Sequence, residues 1–223
     1  MKFAIIEGTK SEATKGSKGI CHFCGSELIA KCGEVKSHHW AHASNRNCDP
    51  WWEKEGEWHR SWKNEFPVEW QEVIHIESTG ERHIADVKTD AGWVIEFQSS
   101  YLKQEERRSR NDFYDKLIWV IDGTRRPTDI KQFDKVLKEG STKIINRPLT
   151  IEVHFPDECR LLKEWGASDK LVLFDFFSGD KTGQKLLWFL FPKMASGKVY
   201  LSCIDARAFV NKSNGSGFEE FFK

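Results

Sequence analysis

Residues Arg82 to Gln98 read RHIADVKTDAGWVIEFQ, two runs of β-forming residues separated by a turn signal. Side chains two apart in a strand share a face, so Val94, Glu96 and Gln98 fall on one side while Trp93, Ile95 and Phe97 form the apolar, core-facing side. Between the runs, Asp90-Ala91-Gly92 suits a three-residue hairpin loop with Gly in the left-handed position. Pairing Thr89 with Trp93 then sets Asp86 opposite Glu96. Carboxylates whose Cβ atoms are about 5 Å apart repel one another unless a proton or a cation lies between them. Magnesium or manganese would satisfy both and keep water in its shell, and bound water of lowered pKa can attack a phosphodiester. Gln98 would then position the water or a phosphate oxygen. Ion pairing of Asp86 and Glu96 with Arg82 or Lys88 on a solvated face explains the spacing equally well.

Upstream, WWEKEGEWHRSWKNEF over residues 51–66 predicts a helix stopped by Pro67, with Trp51, Trp58, Trp62 and Phe66 on one stripe. Glu55, His59 and Lys63 recur every four residues and would form another stripe. They could supply a metal contact, a phosphate hydrogen bond and a charge clamp, or simply pair along the helix. VEWQEVIHIE over residues 68–77 reads as a further strand. Downstream, residues 102–116 read as a charged helix with Ser100 as its N-cap. Arg110, four residues after Glu106, could reach a phosphate or pair with that acid. LIWVI at residues 117–121 is apolar on both parities and predicts a strand covered on both faces. The order is helix, three strands, helix, strand.

Four of the six Cys lie between Cys21 and Cys48, beside four His. Cys21-x2-Cys24 followed by His42-x5-Cys48 offers the closed tetrahedral set that structural zinc prefers, with Cys32, His38 and His39 as competing ligands. Ahead of it, FAII predicts a strand, and residues rich in Lys, Gly, Ser and Thr predict a mobile linker. The segment has little apparent core, so the metal is expected to replace one. Past Asp122, a helix ending at Gly140, a strand at residues 150–155 and a short helix from Pro156 to Trp165 are expected. A meander at residues 170–177, 185–191 and 198–204 follows. The reading divides the chain into a zinc module (1–50), a core (51–142) and a β-rich extension (143–223).

With 34 basic and 34 acidic residues, the chain does not coat nucleic acid by bulk electrostatics. No apolar run approaches the roughly 20 residues of a membrane span. MKFAIIEGTK lacks the pattern of a signal peptide. A cytoplasmic protein with no membrane partner is expected.

Together, Cys21-x2-Cys24, HHWAH ending at His42, Glu55-x3-His59-x3-Lys63, Arg82-x3-Asp86, Glu96-x-Gln98 with Ser100, and Arg110-x3-Tyr114 before LIWVI resemble the competence-protein CoiA-like family. The resemblance is strong over about residues 20–122 and weak beyond. It implies an α/β, restriction-endonuclease-like (PD-(D/E)XK) αβββαβ core that hydrolyses DNA phosphodiesters. Asp86 and Glu96 would hold the catalytic Mg or Mn, Glu55 would be the helix acid, and Gln98 would stand where that class usually has Lys. Ala85 stands where the class motif has Pro. An amide carries neither proton nor charge and cannot be a general base, so Lys63 would have to supply the cation. The expected protein is a metal-dependent nuclease in DNA uptake, processing or defence, its zinc module helping to grip the strand. The rival expectation is a DNA-binding accessory protein that keeps the fold without turnover, its Trp residues serving as stacking platforms. A third is a homodimer or protein-docking chain acting through the extension and its tail FEEFFK.

Overall fold

Single apolar residues set among polar neighbours are enough to build short strands where each has a partner. The computed structural model describes residues 1–44, 48–53, 55–146, 148–179, 184–192 and 196–213. The chain is mixed α/β and divides into two compact units, Met1–Lys88 and Thr89–Lys223. The tail FEEFFK lies outside the described residues.

The N-terminal unit opens with β1 (Phe3–Ile6), β2 (Thr9–Glu12), β3 (Lys18–Ile20), β4 (Glu27–Lys31) and β5 (His39–His42). They pair antiparallel in the order β2-β1-β3-β4-β5. The stretch expected to be a mobile linker thus contains two strands, whose polar residues are the outward half of the sheet. Nor is the module coreless: Met1, Ala4, Ala13, Cys21, Leu28 and Trp40 form a buried cluster. Next comes α1 (Glu57–Asn64), eight residues where sixteen were expected, because Gly56 in extended backbone starts the helix late. Trp51 therefore leaves the helical stripe and stacks on His83, with ring centroids 3.3 Å apart. Asp49 fixes this turn by accepting from the Trp51 N–H (3.0 Å), the His83 ring (2.8 Å) and the Ile84 N–H (2.6 Å). A 3₁₀ turn at Val68–Trp70 leads into β6 (Gln71–Ile76), which forms an antiparallel hairpin with β7 (Arg82–Lys88). Along β7, His83, Ala85 and Val87 are buried while Ile84 and Asp86 stay partly exposed, the expected period of two.

The C-terminal unit runs β8 (Val94–Gln98), α2 (Gln104–Phe113), β9 (Leu117–Asp122), α3 (Pro127–Glu139), β10 (Ser141–Asn146) and β11 (Leu149–Val153). It continues with α4 (Arg160–Trp165), β12 (Leu171–Gly179), β13 (Lys185–Leu190), β14 (Val199–Asp205) and α5 (Ala206–Ser213). Its strands lie in the order β10-β11-β14-β13-β12-β9-β8. β9 is parallel to both neighbours, Ile118 aligning with Ile95 on one side and Leu171 on the other. Leu117 to Ile121 are all buried, as a strand covered on both faces requires. Thr89 donates to the Trp93 carbonyl (2.9 Å) and Gly92 has φ 81°, so the predicted three-residue loop is present. β10 and α5 were not foreseen. Among the described residues no helix is long and apolar enough to cross a membrane.

The turn after β9 depends on a missing side chain. A Cβ on Gly123 would stand 2.5 Å from ring carbons of buried Phe176. Gly123→Ala is expected to destabilise the protein by about 1–3 kcal/mol, the usual cost of overpacking. An unchanged denaturant midpoint would contradict this close approach.

Candidate functional site

Two chemistry-bearing clusters lie in the N-terminal unit, and a third set of sequence-predicted residues lies in the C-terminal unit. The first cluster is the metal candidate. Backbone bonds from the Cys21 N–H to the Ser26 carbonyl and from the Gly25 N–H to the Cys21 carbonyl, both 2.9 Å, close a tight knuckle. The β4–β5 register, Leu28 opposite His42, brings the imidazole alongside it. Cys21 Sγ lies 3.7 Å from Cys48 Sγ, and Cys24 Sγ lies 3.3 Å from His42 Nε2. A tetrahedron with zinc–sulfur bonds of about 2.3 Å has an edge of about 3.8 Å, slightly less to nitrogen, so both separations suit ligands of one ion. All four ligand atoms lie within 4.8 Å of one another. This cluster can hold zinc with its four positions filled by protein.

The competing ligands do not join this cluster. Cys32 Sγ donates to the Ala13 carbonyl, and His39 Nδ1 lies 3.0 Å from the Ser37 carbonyl. Burial pushes the Cys48 thiol up to about 12 and also raises Cys21. Burial opposes ionisation of Cys24 as well, but hydrogen bonds from Ser26, with smaller help from Cys21 and His42, bring it down to about 6. One thiolate is tolerated there unaided, and ionising all three requires a cation.

The second cluster gathers around Lys63, which α1 carries completely into the interior. Its ammonium donates to Glu55 Oε1 (2.6 Å) and Glu72 Oε1 (2.9 Å) and stands 3.8 Å from Asp86 Oδ1. His59 Nε2 is 2.9 Å from the same Asp86 oxygen, and Arg60 Nε is 3.3 Å from Glu55 Oε2. Glu55 lies just ahead of α1, yet it still meets His59 and Lys63, as the four-residue spacing suggested. Glu55, His59 and Asp86 each offer a ligand atom, and these lie within 4.8 Å of one another.

Glu72 escaped the sequence reading. It sits in a strand-like run with no motif around it, but its backbone takes φ 48° and its carboxylate accepts from the Lys2 N–H (2.7 Å) and the Phe3 N–H (3.1 Å). Burial alone would lower the Lys63 ammonium and raise the Glu72 carboxyl. Their mutual attraction outweighs it, so Lys63 is held above its ordinary value and Glu72 well below the usual carboxylate range. Glu55, Glu72 and Asp86 face Lys63, and Arg60 stands beside Glu55 while the Met1 amino group acts on Glu72 and Glu55. The imidazole and carboxylate donor set of Glu55, His59 and Asp86 could hold a metal ion.

In the C-terminal unit, Glu96 is buried and its Oε2 accepts from Arg110 Nη1 at 3.1 Å. Arg110 also grips Glu106 one helical turn back, and its side chain is only 5% exposed. It therefore works as an internal counter-charge and not as a surface contact for phosphate. Gln98 Nε2 donates to Ser100 Oγ (3.0 Å) and to the Ser100 carbonyl (3.2 Å). Ser100 is not the N-cap of α2, a position that Lys103 occupies.

Neither the curated proteins nor the solved structures contain a match to the chain. Residues 7–50, which span β2 to β5 and all four Cys and His ligands, match the family described as competence protein CoiA, N-terminal domain. The segment that carries the metal candidate is therefore similar to the N-terminal domain of the competence protein CoiA family.

Proposed function

We propose that the protein is a divalent-metal-dependent nuclease acting on DNA, with a structural zinc in its N-terminal module. The CoiA module implies a competence-related role, and incoming or processed DNA is the natural substrate of such a role. The observation that carries the hydrolytic reading is the convergence of Glu55, His59 and Asp86, beside a Lys63 whose ammonium faces Glu55, Glu72 and Asp86. A divalent cation held there would lower the pKa of a bound water and stabilise charge on a phosphate. The chain's own residues do the rest. Lys63 fixes Glu55 and Glu72 and favours the ionised form of Glu72. Glu72 holds the start of β1 through two backbone N–H groups. His59 Nε2 stands against Asp86 Oδ1 and fixes the position of that carboxylate.

The purified protein is expected to cut DNA with manganese or magnesium and to stop in chelator. Asp86→Ala should abolish cleavage, and His59→Ala should reduce it by about 10- to 100-fold, the range for residues that tune a metal site. Cleavage surviving in Asp86→Ala would remove the assignment.

The reading as an accessory protein without turnover is favoured by one observation: Arg110 occupies Glu96, and Ser100 engages the amide of Gln98. It predicts undiminished DNA binding in chelator and no cleavage with any divalent cation. Glu96→Gln separates the readings further, because it leaves binding alone in either case and changes cleavage only if Glu96 serves a metal.

A further inference from the structure

At the carboxyl ends of the parallel strands β8 and β9 the C-terminal unit opens into a cavity of about 370 Å³ that reaches from Gln98 to Asp122. Open parallel sheets commonly bind ligands at this end. Around it stand Tyr101, Arg107, Arg125, Arg160, Lys163 and Trp165. We infer that this cavity takes one nucleotide unit of a single DNA strand, the phosphate against Arg125 and Lys163 and the base on the ring of Tyr101. The inference deepens the nuclease reading, on which it rests for the choice of DNA, by naming the strand form bound.

Charge is the first argument. Arg160 is satisfied, donating to Asp129 and to Glu164. Arg107 donates only to the Glu164 carbonyl and lies over Trp165, 4.7 Å from the ring centroid. Arg125 is half-buried and forms no ion pair among the described residues; its charged neighbours are Arg160 and Arg126 on one side and the Glu164 and Asp129 carboxylates on the other. Both carboxylates are already held by Arg160, and Asp122 Oδ1 accepts from the N–H (2.8 Å) and hydroxyl of Thr124. Burial, then the two like charges, lower the affinity of Arg125 for its proton, and the more weakly acting carboxylates do not cancel that direction. A phosphate would join guanidinium groups that otherwise repel, with the fork geometry that suits it.

The second argument is Tyr101, a large ring left 63% exposed at the rim. An aromatic face beside a cationic pocket is the pairing that single-strand binders use, because every base has a face to stack while a duplex keeps its bases stacked inside.

The test is fluorescence anisotropy of a labelled short oligothymidylate in EDTA, with the full chain. Arg125→Gln is expected to weaken binding about tenfold and to lower the slope of log affinity against log salt by about one. Tyr101→Ala should weaken it about tenfold with the slope unchanged, and Tyr101→Phe should restore it. Should Arg125→Gln fail to fold, Lys163→Gln at an exposed position of the same pocket carries the salt-slope test. An unchanged slope in the cation variant, wild-type affinity in Tyr101→Ala, or equal competition by duplex overturns the proposal. Asp86→Ala keeps the two readings apart. Pocket-dependent binding of a strand that no divalent cation cuts ends the hydrolytic reading alone. Cleavage that requires Asp86, with wild-type binding in Arg125→Gln, ends only the pocket.

Discussion

The purified protein is expected to carry about one zinc per chain, and stripping it should unfold the N-terminal module. Structural zinc in small modules contributes apparent binding energies of about 10–16 kcal/mol near neutral pH, larger than the net stability of most domains. The five short strands β1 to β5 bury only the cluster around Leu28 and Trp40 among themselves, and Cys21 belongs to it. Metal and core are thus one object. Cys24→Ala should abolish stoichiometric zinc and expose the Trp40 ring, now 1% accessible, as a red-shifted emission. Cys32→Ala, at a thiol that answers only the Ala13 carbonyl, should leave zinc content intact. Wild-type zinc content in Cys24→Ala, or a melting profile indifferent to a strong chelator, would contradict the assigned set.

The second large effect belongs to Lys63. Removing one partner of a buried ion pair leaves the other as an uncompensated charge, at a cost of about 3–5 kcal/mol. Lys63→Met removes the nearest cation from both Glu55 and Glu72, while Arg60 still faces Glu55 and two backbone N–H groups still face Glu72, so a loss within that range is expected. Adding Glu72→Gln should recover part of the loss, because it removes the buried charge while its one amide oxygen can still accept from one of the Lys2 and Phe3 N–H groups. The pH dependence follows from the two shifts. Glu72 is held below its ordinary 4.5, so its contribution is complete above that value and is lost as the solution is made more acidic. Lys63 is held above its ordinary 10.5, so its contribution is complete below that value and is lost only at higher pH. Stability should therefore fall on the acid side below about pH 4.5, and Lys63→Met should flatten that fall. Equal acid midpoints for the two proteins would show that the pair does not govern it.

The residues that reveal themselves in sequence are those whose chemistry repeats at a fixed spacing. Cys21-x2-Cys24 with His42 and Cys48, the alternation through β7, the loop ending at Gly92 and the fully apolar β9 are all of this kind. The grouping of Glu55, His59 and Lys63 came from the same arithmetic even though the helix begins after Glu55. What stayed hidden depends on partners far along the chain. β2 and β3 are polar because one face meets solvent, and composition alone makes such strands look like linker. Glu72 is buried because Lys63, Lys2 and Phe3 reach it from elsewhere, and no local pattern announces a left-handed residue there. Arg110 looked equally fit for a phosphate or for Glu106, and only its burial against Glu96 distinguishes them. Ser100 had the right residue type for a cap but stands too early for α2.

The order of strands in the C-terminal unit has a consequence for biosynthesis. β14 lies between β11 and β13, with Thr150 paired to Ser202 and Phe189 paired to that same Ser202 from the other side. At translation speeds of about 5–20 residues per second, the nascent β11 waits several seconds or more for its neighbour to leave the ribosome. Until then its open edge is a template for other chains, so premature stop codons before β14 should yield inclusion bodies, and slower growth or chaperone supply should raise the recovered yield.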